Sequence, residues 1–367
     1  MLTIQDYNQR EQEAIDVLPN RVVEMVNPVV FASEGYPLRV RQEHALARYL
    51  DVMHETRFER DFAGIHEGGF TAQEFDWVKR AATLAYDCSV KSFNQRLTAR
   101  SSLSRALHVF RSIDDIVRHQ PLRVFEIGPG SGNLGSLFIQ NGWGYAATDI
   151  AQAFYLVQNR LWNHATNGQV VDLAAANHKW DGQVRPGYPV HIPWWELYCL
   201  NENTTPSVDV VTCNHALAEM HPNSLAFIML VAQRMLRGDG LKLFIFEGWG
   251  FEKLNSRDTV IQQFLRNEFC LLHTDEKITV FAPKHTVART DSNLLPGGPT
   301  KAYVKTEACT YLPNNTLTPL INEGRVRRKA ALKVSLEDTN TFYRALLGSD
   351  DIRTPEERFL ALIGKSY

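Results

Sequence analysis

The chain has no C-x-x-C pair. Its five cysteines, Cys88, Cys199, Cys213, Cys270 and Cys309, are scattered and odd in number over 367 residues. That usage excludes a disulfide framework and a structural zinc site, and it suits a reducing compartment, so a cytoplasmic location is expected. No apolar run reaches the length of a membrane span, and no stretch resembles a secretory signal. The first residues, Met1-Leu-Thr-Ile-Gln-Asp6, are already polar, so no membrane partner is expected. Excess basic charge is lacking too: a net charge of −2 leaves no footprint for general nucleic-acid binding. The one basic run, Arg325-Val-Arg-Arg-Lys329, reads as a solvated helix face. Internal repeats and long low-complexity tracts are absent. What remains is a chain long enough to bury a large core and carry additions around it.

The densest signal lies at Arg123-Val-Phe-Glu-Ile-Gly-Pro-Gly-Ser-Gly-Asn-Leu-Gly135, followed by Ala146-Ala-Thr-Asp149-Ile150. Val124, Phe125 and Ile127 form an apolar run suited to a parallel strand covered on both faces. Gly128, Gly130 and Gly132 then allow a tight turn that brings the backbone against a ligand. A helix start after the turn presents free N–H groups to that ligand. Asp149 ends the next strand, where a carboxylate can accept both hydroxyls of a ribose. Gly130-Ser-Gly132-Asn-Leu-Gly135 matches G-x-G-x-x-G, so an NAD(P)-dependent oxidoreductase is one reading. Glu126 argues for another. A carboxylate this close would repel a pyrophosphate and attract an ammonium or a sulfonium.

The full run, E-x-G-x-G-x-G, resembles the first motif of class I S-adenosylmethionine (SAM) dependent methyltransferases. The resemblance implies that SAM is the cofactor, with Glu126 near its methionine portion and Gly128, Gly130, Gly132 and Asn133 beside it. It also implies that Asp149 holds the ribose, with Ile150, Trp194 and Asn214 lining the same pocket. Later segments are similar to that fold as well: the strand Val208-Asp-Val-Val-Thr-Cys213, a helix opening at Pro222, the turn Arg237-Gly-Asp-Gly240 and the strand Leu241-Lys-Leu-Phe-Ile-Phe246. The likeness covers residues 100–285.

The expected fold is therefore α/β, a doubly wound, mostly parallel, Rossmann-like sheet with an N-terminal helical segment and a C-terminal extension. Residues 1–100 read as helical, with apolar spacing over 42–56 and 72–86 and a break at His66-Glu-Gly-Gly69; the resemblance implies a role as lid and in acceptor recognition. Residues 101–285 form the SAM-binding domain, including helices over 102–117 and 150–164. Residues 286–367 form the extension, with turn clusters at 293–299 and 312–316 and helices over 338–347 and 355–363. The third strand has two candidates, Gln169-Val-Val-Asp172 and Pro189-Val-His-Ile-Pro193. In the family the loop after it touches the adenine, for which the Trp194-Trp195 indoles or Asp172 are candidates.

Ligands of open α/β sheets bind outside the carboxyl ends of the strands, and the segment Cys213-Asn-His-Ala-Leu-Ala-Glu-Met-His-Pro222 there is dense in polar groups. An alcohol acceptor must lose its proton as it is methylated, and histidine is suited to that. His215 and His221 are candidate bases. Glu219 would orient the imidazole or bind an acceptor hydroxyl, sharing a face with His215 if the stretch is helical. Asn214 could hold an acceptor polar group, and His285 is a further candidate from a later loop. No metal is expected, since one carboxylate among these groups is a poor set for a hard cation. The phrases Asn214-His-Ala-Leu-Ala-Glu-Met220 and His191-Ile-Pro-Trp-Trp195 are similar to putative sugar O-methyltransferases of polysaccharide and natural-product biosynthesis. O-methylation of a small-molecule or sugar-like acceptor is thus the leading expectation. N-methylation of a peptide or amine metabolite and the oxidoreductase are the alternatives. Assembly as a homo-oligomer stays open at this stage.

Overall fold

The computed structural model describes residues 2–26, 39–51, 71–97, 101–117, 121–175, 180–200, 205–238, 240, 242–250, 254–275, 278–285 and 317–331. Numbered among these residues, the helices are α1 (Ile4–Ile15), α2 (Asn20–Val26), α3 (Ala72–Phe93), α4 (Ser101–Val117), α5 (Asn133–Gln140), α6 (Gln152–Thr166), α7 (Trp194–Cys199), α8 (Pro222–Met235), α9 (Arg257–Arg266) and α10 (Thr318–Ala331). The strands are β1 (Arg123–Ile127), β2 (Gly144–Asp149), β3 (Val171–Asp172), β4 (Val190–Pro193), β5 (Val210–Thr212), β6 (Leu243–Phe246), β7 (Phe269–Thr274) and β8 (Thr279–Pro283). Short 3₁₀ helices span Glu43–Asp51 and Leu217–Glu219.

All eight strands join one sheet in the order β3-β4-β2-β1-β5-β6-β8-β7. Pairing is parallel from β3 through β6, and β8 runs antiparallel to both β6 and β7. The winding direction reverses between β1 and β5, which opens a crevice at their carboxyl ends. This is the expected doubly wound, mostly parallel, Rossmann-like sheet. It departs from the all-parallel dinucleotide-binding sheet, because the place beyond β6 is held by a strand running the other way. Both candidates for the third strand are strands. The one beside β2 is β4, with Ala146 opposite Val190 and Asp149 opposite Pro193; all four of its residues are buried. β3 adds two residues outside it.

The helical N-terminal residues share their core with the sheet. Tyr7, Leu46 and Trp77 belong to one apolar cluster with Phe110, Phe138, Tyr145 and Trp162. The opposite face is packed with Phe244, Phe246, Phe264 and Phe281. α6 lies between the sheet and the N-terminal helices and buries 12 of its 15 residues, so it lacks the polar stripe of a surface helix. Thr3 and Thr71 open α1 and α3 with capping boxes that satisfy the first free N–H groups.

The basic run differs from a solvated face. In α10, Val326 and Arg327 are exposed, but Arg325 pairs with Asp275, and Arg328 pairs with Glu74 (3.0 Å) and Asp115. Glu74 also receives Arg111 of α4 at 2.8 Å. Gly324 permits this approach, since a Cβ there would fall 2.5 Å from the Asp115 carboxyl carbon. The break at 66–69, the remainder of 42–56 beyond Asp51, the turn clusters at 293–299 and 312–316 and the helices over 338–347 and 355–363 lie outside the described residues. Among the described residues no helix is long and apolar enough to cross a membrane.

Gly135, in the first turn of α5, faces the buried ring of Tyr145; a Cβ there would sit 2.5–2.6 Å from three ring and hydroxyl atoms. Tyr145 is fully buried and its hydroxyl is bonded to Glu126, so it has nowhere to retreat. Gly135→Ala is expected to destabilise the fold by about 2 kcal/mol. The check is a lower urea midpoint at unchanged slope.

Candidate functional site

The turn after β1 is built by three glycines in the left-handed region, with φ of +66°, +58° and +76° at Gly128, Gly130 and Gly132. Its carbonyls are held from behind. Gln158 of α6 donates to Gly130 O (2.7 Å), and the Trp162 indole donates to Gly132 O (3.0 Å). Gly128 N is bonded to Thr148 O of β2. A Cβ on Gly130 would meet nothing within 4 Å, so the turn faces open space on that side. Such a surface can hold a ligand against backbone N–H groups at a helix start.

Asp149 stands at the end of β2, 5% exposed. Its carboxylate accepts from Ala151 N (3.0 Å) and from the same Gln158 amide nitrogen (2.8 Å). The Gln158 oxygen in turn meets Nε2 of His191 in β4 at 3.0 Å. Since both Gln158 donors are spent on oxygen acceptors, His191 donates here and is neutral, as burial demands of it. Ile150, at 41% exposure, lies at the open end of the strand. Asn133 is buried, with its amide directed to Leu50 O of the N-terminal segment.

Glu126 in β1 accepts from Tyr145 Oη at 2.6 Å. Burial, aided by the charge of Asp149, lifts its carboxyl to about 8. Burial also lifts Asp149, to about 6. Two acids thus flank the glycine turn in a setting that resists negative charge, which a cationic ligand would relieve.

Across the crevice, His215 follows β5 in the left-handed region at φ +55°, a conformation that costs energy away from glycine. Its Nε2 lies 2.6 Å from Arg105 Nη1, and Arg105 lies 3.5 Å from Glu247 Oε1. The backbone repeats the link, with His215 N bonded to Glu247 O at 3.0 Å. Gly248 accommodates the ring, because a Cβ there would overlap the imidazole. Glu247 is buried, and burial alone would raise its carboxyl. Contact with His215 and the positive surroundings from His108 and Arg105 bring it down to about 2. The two halves adjoin: a Cβ on Gly128 would lie 3.8 Å from Ala216 Cβ.

The candidate residues separate accordingly. Glu126, the three glycines and Asp149 converge at the turn, and Asn214 ties the halves by accepting from Glu247 N (2.9 Å) and bonding Thr212 and Glu126. His215 and Glu219 do not share a helical face. Only Leu217–Glu219 form a turn, of 3₁₀ type, and both residues instead lie against Gly250. His221 stands apart: it is exposed, and its Nδ1 accepts from Asn223 N as the cap of α8, a role set by Pro222 at the first helical position. Trp194 is buried with its Nε1 donating to Glu11 of α1 at 2.7 Å. Asp172 is held by Tyr155 Oη (2.6 Å) and Asn159 (2.8 Å). His285 follows the reversed strand β8, whose end lies beyond the amino end of β6, opposite the crevice. Arg105, Glu247, Gln158 and His191 were not among the residues singled out by sequence. Glu247 carried a usable signal, since it ends an apolar strand as Asp149 does.

No protein-family model matches the chain, and no curated protein matches it. Solved structures show a distant likeness. Magnesium protoporphyrin IX methyltransferase (ChlM) from Synechocystis PCC 6803 with bound SAM is 13% identical over 57% of this chain and 97% of its own, with a TM-score of 0.32. The PH0226 protein from Pyrococcus horikoshii OT3 is 13% identical over 48% and 91%, with a TM-score of 0.31. MtNAS in complex with MTA and tNA is 9% identical over 72% and 97%, with a TM-score of 0.33. Likeness at this level establishes neither family nor activity for this chain.

The acids of the site give stability a pH dependence. Glu126 and Asp149 have folded values above their ordinary 4.5 and 3.8. The folded chain therefore holds protons that the unfolded chain gives up, and stability falls as pH rises from 4.5 to about 8. Glu247 and Asp209, both at about 2, act oppositely: their stabilisation is present above their ordinary values and lost as pH falls toward 2. A stability maximum near pH 4 is expected, and Glu126→Gln should flatten the decline on the alkaline side. Urea titrations from pH 3 to 9 check both.

Proposed function

We propose that the chain is a SAM-dependent methyltransferase that methylates a hydroxyl oxygen of a small-molecule or sugar-like acceptor. The observation that carries this reading is the pair of buried acids flanking an open glycine turn, Glu126 bonded to Tyr145 Oη at 2.6 Å and Asp149 to Gln158 at 2.8 Å. A pyrophosphate would add negative charge to acids already resisting it, whereas a ligand with an ammonium and a sulfonium supplies the charge they lack. The antiparallel β8 also weighs against the dinucleotide-binding alternative.

Bound SAM would supply a methyl group activated by its positive sulfur. The chain's own residues do the rest. The glycine turn and Asp149 hold the nucleoside, Asp149 through its carboxylate at the end of β2. Glu126 attracts the amino end. His215 accepts the acceptor's proton, and Glu219 orients an acceptor hydroxyl. α1 and the Glu43–Asp51 turn serve as a cover: Asn8 bonds Gln152, Glu11 bonds Trp194, and Glu43 pairs with Arg160. A base at His215 favours oxygen over nitrogen, since an unprotonated amine is already nucleophilic.

Calorimetry with SAM, S-adenosylhomocysteine and NAD tests this reading. Binding of the first two is expected, with Asp149→Ala weakening SAM about 100-fold, the value of two charge-assisted hydrogen bonds. Glu126 holds its proton at pH 7 in the ligand-free protein. A cation favours the ionised form, so SAM binding should release a proton and tighten from pH 6 to 8. Titrations in buffers of different ionisation enthalpy count that proton. Binding of NAD without SAM would overturn the reading.

A further inference from the structure

We propose that the acceptor's oxygen is taken up between Arg105 Nη1 and His215 Nε2, and that Arg105 is a second catalytic residue, stabilising the charge that develops on that oxygen. The proposal rests on the methyltransferase reading above and deepens it. The two nitrogens lie 2.6 Å apart, closer than a hydrogen bond of this kind usually runs. A guanidinium has no acceptor, so it must donate, and Nε2 must carry the lone pair. His215 is then neutral, with its proton on Nδ1. In the closed arrangement Arg105 covers the lone pair that a general base needs. A hydroxyl entering between the two restores each function: its proton faces Nε2, and its oxygen faces the Arg105 fork.

The surroundings are built for such exchange. Arg105 is 13% exposed, and Glu247, 9% exposed, lies 3.5 Å from Nη1 and 3.7 Å from His215 Nε2, so a guanidinium that gives up the ring keeps a carboxylate beside it. His108, one turn further along α4, adds an electrostatic influence that lowers Glu247. Asn214 holds the Glu247 backbone, a Cβ on Gly248 would collide with the His215 ring, and one on Gly128 would lie 3.8 Å from Ala216 Cβ. The slot thus lies beside the cofactor side of the crevice. In the transfer an oxygen–carbon bond forms as the sulfur–carbon bond of the sulfonium breaks, leaving a neutral thioether. The hydroxyl proton passes to Nε2, and the resulting imidazolium, 3.7 Å from Glu247 Oε2, later returns it to water.

Long-range proton–nitrogen NMR on ¹⁵N-histidine protein, without ligand, reads the pairing directly. His215 is expected to carry its proton on Nδ1 in the wild type and in Arg105→Lys, and to lose that preference in Arg105→Met. A protonated Nε2 in the wild type would overturn the proposal, as would an unaltered tautomer in Arg105→Met. Methyl transfer from labelled SAM to a panel of phenols, hydroxy acids and sugars reads the catalytic role. Arg105→Met should lower kcat about 100-fold, as for loss of one donor to a developing oxyanion. Arg105→Lys should recover part of it, and SAM affinity should stay within twofold. Unchanged kcat in Arg105→Met, or a wild type that binds SAM yet methylates no hydroxyl, overturns the proposal. Failure of the wild type to bind SAM strikes the cofactor reading instead, while the tautomer still decides the Arg105–His215 pairing.

Discussion

The Gln158 amide is the joint on which the ligand crevice depends. One buried side chain on α6 holds the carbonyl of Gly130, the carboxylate of Asp149 and the imidazole of His191. These belong to the turn after β1, the end of β2 and the middle of β4, so a single residue sets the spacing of three neighbouring strand connections. With its carbonyls fixed from behind, the glycine turn has only its open side to offer. An amide serves because it donates twice and accepts once at no net charge. The neighbouring indole of Trp162 repeats the device at Gly132. Both lie on a helix buried nearly all round, where close packing restricts side-chain movement.

The two sides of the crevice divide their charge in opposite ways. Glu126 and Asp149 are lifted because burial outweighs the donors they have; Glu247 is as deeply buried yet lowered, because His215 contacts it and α4 brings His108 and Arg105 near. Environments that push similar acids apart are a means of assigning different tasks within one site. Here one side is left short of positive charge and the other carries its own. α4 is in turn secured at its far end through Arg111 and Asp115, by Glu74 of α3 and Arg328 of α10. The residues flanking the sheet domain therefore help to place the cation that faces the strand ends.

The parts of this arrangement that were legible in the sequence are the local ones. β1, its turn and β2 follow from an apolar run, three glycines and a terminal acid within 27 residues, where backbone chemistry and contact coincide. His215 and Glu219 stand out because strand ends are where ligands bind; a shared helical face was conditional on a helix there, and nothing local announces a left-handed histidine. His221 looked like a base, yet Pro222 makes the position a helix cap. Arg105 lies 110 residues from its partner, on a helix whose spacing reports only which face is apolar. His285 was drawn toward the site by its place after a strand, and only the antiparallel pairing of β8 sends it to the other end. The third strand was ambiguous because both candidates are strands.

Gly248 carries a consequence beyond the folded state. Its α-hydrogen occupies the place against the His215 ring where any side chain would collide, and its φ of +63° already favours glycine. The two positions therefore cannot drift independently. A lineage that loses the ring at 215 releases the constraint on 248, whereas a lineage that keeps the ring must keep the glycine. Among descendants of this chain, an altered residue at 248 would mark those in which the imidazole had already been given up.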